Sequence, residues 1–276
     1  MLAFHHGLYT ILSMMQLLFW RLNGTYNLLK AINEGHEYRR SAQLLRIWSR
    51  FQESQGVIVH YWRHFITTHA GIVHLDSALQ THVTLMTVTD KEAIFCVFNK
   101  HVSVFDTRTH PFLFNTLFME AKYLLVMPIT SFIKLAEAQG DLKSQVIWIH
   151  HTRRCGSTAI AQAFNALPDT VALSVPHCLF ALRQTYKYMH LFTSVDWQRP
   201  EEYRPIYRSA VRLLLKPTIS ESAEFMVVKA VALNSIAESE LLYDMLPDFS
   251  QIFVCRDAAP QITSMFCLIS GHDLIF

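Results

Sequence analysis

The stretch from Val146 to Phe164 constrains this chain more than any other. Val146, Ile147, Trp148 and Ile149 are apolar and mostly β-branched or aromatic, which predicts a short buried strand. Thr152 to Ser157 are polar and carry the adjacent arginines Arg153 and Arg154 just before Gly156. Glycine is scarce, with 8 in 276 residues, so one placed in a basic turn is informative. From Thr158 onward, Ile160, Ala163, Phe164 and Leu167 recur at helical spacing, and Pro168 follows. Strand, basic glycine turn and helix together form the layout of an anion-binding loop. The first helical N–H groups lack intrahelical partners, the helix dipole is positive there, and glycine lets an anion approach the backbone.

Two common phosphate loops do not fit. A nucleotide-hydrolysing loop needs Gly-x-x-x-x-Gly-Lys-Ser/Thr, but His151 holds the first glycine position and Ser157 the lysine position. A nucleotide kinase reading fails on the same missing lysine. A cysteine phosphatase loop needs an arginine six places after the cysteine, and that place after Cys155 is Ala161. The remaining pattern, Arg154-Cys155-Gly156-Ser157-Thr158, resembles the 5′-phosphosulfate loop of the sulfotransferases. In that family Pro-Lys/Arg-Ser/Thr-Gly-Thr/Ser-Thr joins a strand to a helix. By this resemblance Arg154 takes the Lys/Arg position, Cys155, Gly156, Ser157 and Thr158 follow it, and Arg153 replaces the usual proline.

A second segment strengthens the resemblance. Gln251 to Cys255 reads as a strand and is followed by Arg256-Asp257-Ala258-Ala259-Pro260-Gln261-Ile262-Thr263-Ser264. This is similar to the family's 3′-phosphate motif, in which an Arg closes a strand and a Ser follows eight residues later on a helix. Arg256 and Ser264 keep that separation, and the guanidinium fork suits a phosphate. The resemblance covers about residues 141–276.

The rest of the chain is read from pattern alone. Residues 1–22 contain an apolar run from Gly7 to Trp20 that is shorter than a bilayer span and is interrupted by Gln16. They are read as a packed amphipathic helix, so a cytoplasmic protein is favoured and a Golgi membrane anchor is kept as the alternative. Residues 40–70 are expected to be helical, with Leu44, Leu45, Trp48 and Phe51 on one face. A β-hairpin is expected over 93–105, a helix over about 112–123 and another over Pro128 to Glu137. Beyond Gln139-Gly140-Asp141, strands at 146–149, 170–175, 225–228 and 251–255 alternate with helices at about 177–192, 200–215, 235–246 and 259–269. That order predicts a three-layer α/β core with a parallel sheet. Two domains follow: a mainly helical accessory region over 1–140 and a nucleotide-binding core over 141–276, short at its carboxyl end by comparison with the family.

Composition narrows the function classes. A formal net charge of +2 supplies no field for nucleic acid. The 5 cysteines show no metal spacing, and an odd number does not suit a fully cross-linked secreted domain. The 15 histidines are scattered and lack zinc-ligand spacing, so no metal is expected.

The resemblance implies 3′-phosphoadenosine-5′-phosphosulfate (PAPS) as co-substrate and sulfuryl transfer to a hydroxyl or amine of a carbohydrate or small molecule. Arg153, Arg154, Cys155, Gly156, Ser157, Thr158, Arg256 and Ser264 would hold the nucleotide. Family members place a basic group either as His in Lys-x-His-Leu-Pro after the third strand or as Glu after the second. Here Val231 and Val175 stand at those places. His177 is therefore the candidate base, since an imidazole titrates near neutrality. Lys229 is the candidate contact to the donor phosphate or leaving oxygen. The rival reading is a catalytically inactive relative that keeps the fold and binds the nucleotide or a protein partner. No motif identifies the acceptor.

Overall fold

Residues Ser41 to Arg50 place their apolar side chains at spacings that imitate a helix, yet they form a strand. The computed structural model describes residues 2–34, 41–51, 64–102, 104–106, 111–187, 200–216, 223–230 and 248–270, with isolated positions between 219 and 246. Helices α1 (Leu2–Leu22) and α2 (Thr25–Asn33) come first. Then β1 (Ser41–Arg50) pairs antiparallel with β2 (Phe65–His74), which corrects the helix expected over 40–70. The register shifts twice along this pair, between Leu44 and Leu45 and between Ile47 and Ser49. Each shift moves the inward side by one residue, so the period of two that marks a strand is lost.

The hairpin expected over 93–105 is displaced. β4 (Glu92–Val97) pairs with β3 (Val83–Val88) before it, and no described residue of 102–105 joins the sheet. The turn between them is tied by Thr89, whose hydroxyl accepts from the Glu92 and Lys91 N–H groups. α3 (Leu113–Glu120) lies within the helix expected over about 112–123, and β5 (Tyr123–Pro128) follows between the two expected helices, where no strand was expected. Every residue of β5 after Tyr123 is buried, so it carries no alternation to read. α4 (Ile129–Ala138) lies where the sequence predicts it. The first sheet runs β2-β1-β5-β4-β3 and is antiparallel throughout. The region expected to be mainly helical is thus built on a five-stranded sheet.

The second sheet follows the expected alternation. β6 (Gln145–His151), α5 (Ser157–Asn165) and β7 (Thr170–Ser174) are succeeded by α6 (His177–Lys187) and α7 (Pro200–Leu214). β8 (Phe225–Lys229), β9 (Ser250–Val254) and α8 (Ala258–Ser270) are the last described elements. The helix expected at 235–246 falls largely outside the described residues. The strands are parallel in the order β7-β8-β6-β9. Ile160 and Phe164 of α5 pack on Ile149, Ala172 and Val227, which are buried in that sheet.

The chain divides into two compact units. The first holds residues 1–104, 114–141 and 177–218, and the second holds 105–113, 142–176 and 219–276. The division expected near residue 140 is therefore corrected, because α6 and α7 pack with the antiparallel sheet against β3. Just beyond α7, Lys216 is fully enclosed in the first unit. Its ammonium donates to the carbonyls of Ala78 at 2.8 Å, Gln80 at 2.6 Å and Val83. Burial pushes this group down to about 7, while three acceptors match the three N–H bonds of its charged form.

Candidate functional site

β6 ends at His151, and the loop after it carries two positive φ angles, Arg154 at 60° and Gly156 at 87°. Gly156 is the N-cap of α5. The first bonds into the helix run from the Ala159 and Ile160 N–H groups to the Gly156 carbonyl, at 3.0 and 3.3 Å. The N–H groups of Ser157 and Thr158 precede them and point out of the helix end, as helix geometry requires. A β-carbon at Gly156 would meet nothing within 4 Å. The glycine is needed there for its backbone angle, not for space. Ser157 is buried, Thr158 and Cys155 are half-buried, and Arg154 is exposed.

The loop and the second motif are brought together. Arg154 Nε donates to Ser264 Oγ on α8 at 2.6 Å. Arg256, two residues past the end of β9, approaches the loop, with its guanidinium 3.5 Å from the Arg154 carbonyl. Two guanidinium groups and a hydroxyl thus meet beyond the carboxyl ends of adjacent parallel strands, β6 and β9, where open α/β sheets bind ligands. Arg153 is half-buried and acts electrostatically on His151.

Lys229 closes β8, the other neighbour of β6. It is almost fully buried, and its ammonium lies 5.2 Å from the centre of the Phe112 ring. Desolvation pushes it down to about 8, opposed by the nearby Cys155 thiol. His151 is the residue that sequence reasoning passed over. Its Nε2–H donates to the Ala230 carbonyl at 2.9 Å, and Nδ1, the nitrogen left to accept a proton, lies 3.4 Å from the Thr152 carbonyl. Burial first, and then the charge of Lys229, hold this imidazole below its usual value, so it is neutral at pH 7. The adjacent pair His150-His151 was the available signal. The two histidines differ in setting: His150 is enclosed, bonded to Gln251 at 2.7 Å and stacked on Phe253.

His177 is not part of this group. It opens α6, belongs to the first unit and has no exposed surface. Its Nδ1–H donates to the Met86 carbonyl at 2.8 Å, and burial pushes the ring down to about 4. An enclosed neutral imidazole committed to a backbone carbonyl cannot take a proton from an acceptor, which corrects its assignment as base. Val175, two residues earlier, sits at φ 58° and donates its N–H to the Lys229 carbonyl at 2.9 Å. A β-branched residue in this region is strained, so both β6 and β7 release strained non-glycine residues at their carboxyl ends.

No family model, curated protein or solved structure matches this chain. The site's own chemistry is cationic: two guanidinium groups and a serine hydroxyl beside a helix N-terminus. No group of three or more His, Cys, Asp or Glu placed to hold a metal occurs among the described residues. Two cavities, of about 390 and 370 Å³, lie in the first unit and share Leu17, Trp20, Gln43, Glu92 and Val126. Neither is lined by a residue of the loop.

Proposed function

We propose that this chain is a sulfotransferase-like protein that binds PAPS on the β6–α5 loop, with the parallel sheet as the centre of a three-layer α/β fold. The observation that carries the reading is the 2.6 Å bond between Arg154 and Ser264. It joins two segments, 110 residues apart, that resemble the two phosphate motifs of one family. In this reading the N–H groups of Ser157 and Thr158 and the Ser157 and Thr158 hydroxyls receive the 5′-phosphosulfate. Arg256 and Ser264 receive the 3′-phosphate, and Arg153 and Arg154 add charge between them. Lys229 neutralises the departing phosphate oxygen. The acceptor oxygen or nitrogen attacks sulfur in line, the sulfur–oxygen bond to the 5′-phosphate breaks, and its electron pair leaves with the phosphate. The acceptor proton goes to His151, the neutral imidazole beside the loop. The acceptor is a carbohydrate or small hydroxylated molecule.

The second reading is a non-catalytic relative that keeps only the nucleotide site. The enclosure of His177 favours it, because the base expected from sequence is lost. Calorimetric titration with adenosine 3′,5′-bisphosphate, the spent donor, tests the shared premise. Micromolar binding is expected for the wild type, and Arg154→Ala and Arg256→Ala should each weaken it at least tenfold, roughly 1.4 kcal/mol or more. Absence of binding to the folded wild type would sink both readings. Binding without sulfation of any acceptor, unchanged by His151→Gln, would leave the second.

A further inference from the structure

Helix α1 is turned inside out. Its half-buried stripe is His6, Tyr9, Gln16 and Trp20, which carry polar atoms, while its exposed positions are mostly leucine, isoleucine, methionine and phenylalanine, with Gly7, Thr10, Ser13 and Arg21 among them. Phe4 is 75% exposed, Met14 67% and Leu22 79%. Most of the large hydrophobic side chains exposed among the described residues lie on this one helix. A helix in water packs its apolar stripe inward and shows its polar face, and α1 does the reverse. The inward stripe is placed by specific contacts. Trp20 meets the His69 ring of β2 edge-on at 6.0 Å, and Tyr9, Gln16 and Trp20, flanked by Leu12, Ser13 and Leu17, line the cavity that Gln43 and Glu92 also line.

We propose that the outward face of α1 lies in the headgroup–hydrocarbon boundary of a phospholipid bilayer, with the helix axis in the membrane plane. Three observations select this occupant over a protein partner or a second copy of the chain. The first is width. At about 100° per residue, the uninterrupted exposed apolar arc runs from Met14 through Leu18, Ile11 and Phe4 to Phe19, about 140° of the circumference; Thr10 and Arg21 stand beyond Met14, and Leu12 and Leu17 on the flanks line the cavity. A helix or groove pairing with α1 covers a stripe of about 100°, whereas a fluid hydrocarbon layer wets the whole arc. The second is charge. Between Leu2 and Leu22 there is no Asp, Glu or Lys, and the one Arg, Arg21, stands at the last turn with its guanidinium 5.3 Å from the Tyr26 ring. A cation and aromatic rings at one end are headgroup-level anchors. The third is the polar inward stripe, which rules out burial all round. In agreement, no described helix is long and apolar enough to cross a membrane.

The test is flotation of the full chain with vesicles of phosphatidylcholine, with and without phosphatidylserine. The wild type should rise with both vesicles, since the apolar face carries the binding. The double variant Ile11→Glu/Leu18→Glu should lose at least tenfold in partition coefficient. Both positions are exposed, so the fold is kept, which circular dichroism checks. Met119→Glu, at another exposed apolar position on α3, should float like wild type. Wild type that stays down with both vesicles would overturn the proposal. So would equal flotation of the double variant, or a discrete dimer that vesicles leave intact.

Discussion

His177 shows how one enclosed group ties stability to pH. Its ordinary value of 6.5 falls to about 4 in the fold, chiefly by desolvation. Between those values the unfolded chain takes up a proton that the folded chain refuses. The stability held by this residue is therefore full above about pH 6.5 and is lost as the pH falls toward 4, on the order of 3 kcal/mol in all. His177→Gln keeps an N–H for the Met86 carbonyl and removes the titration. Urea unfolding across that window should be flatter in the variant by up to about 3 kcal/mol. Affinity for adenosine bisphosphate at neutral pH should be unchanged, since the residue serves the first unit's core and not the loop. A variant that lost nucleotide binding while remaining fully folded would restore His177 to the site.

At the scale of elements, the β6 loop separates strain from function. Arg154 holds φ 60°, a region that costs an ordinary residue about 1 kcal/mol and glycine little. Arg154→Gly should leave folding stability equal or raised by up to about 1 kcal/mol, while nucleotide affinity falls at least tenfold. Equal affinity in calorimetry would mean that the arginine is a strained bystander. This loop was legible in the sequence because its parts are local: an apolar run, a lone glycine and a helical repeat. The parallel strands were legible for the same reason, each a short apolar run set off by turn residues. β1 and β5 were not. Two register shifts erase the alternation of β1, and complete burial removes it from β5. His151 was hidden by its neighbour, since nothing local tells which of two adjacent histidines is enclosed. His177 was misplaced because Pro176 and His177 adjoin in sequence while belonging to different units.

For the whole molecule, the interleaving of the units governs what can fold alone. A boundary near residue 140 leaves the antiparallel sheet without α6, α7 and Lys216. Leu179, Leu182, Tyr203, Tyr207, Val211 and Leu214 are all buried in the first unit. At roughly 1.5–3 kcal/mol for each side chain, their burial amounts to about 10 kcal/mol, comparable with the whole stability of an ordinary domain. The carbonyls of Ala78, Gln80 and Val83 would also lose their shared donor. An isolated fragment of residues 1–140 should therefore show no cooperative urea transition and poor amide dispersion. Restoring residues 177–218 through a flexible linker should recover both, because those residues complete the unit without the parallel sheet. Cooperative unfolding of the 1–140 fragment by itself would show that the antiparallel sheet is self-sufficient and that α6 and α7 merely cover it.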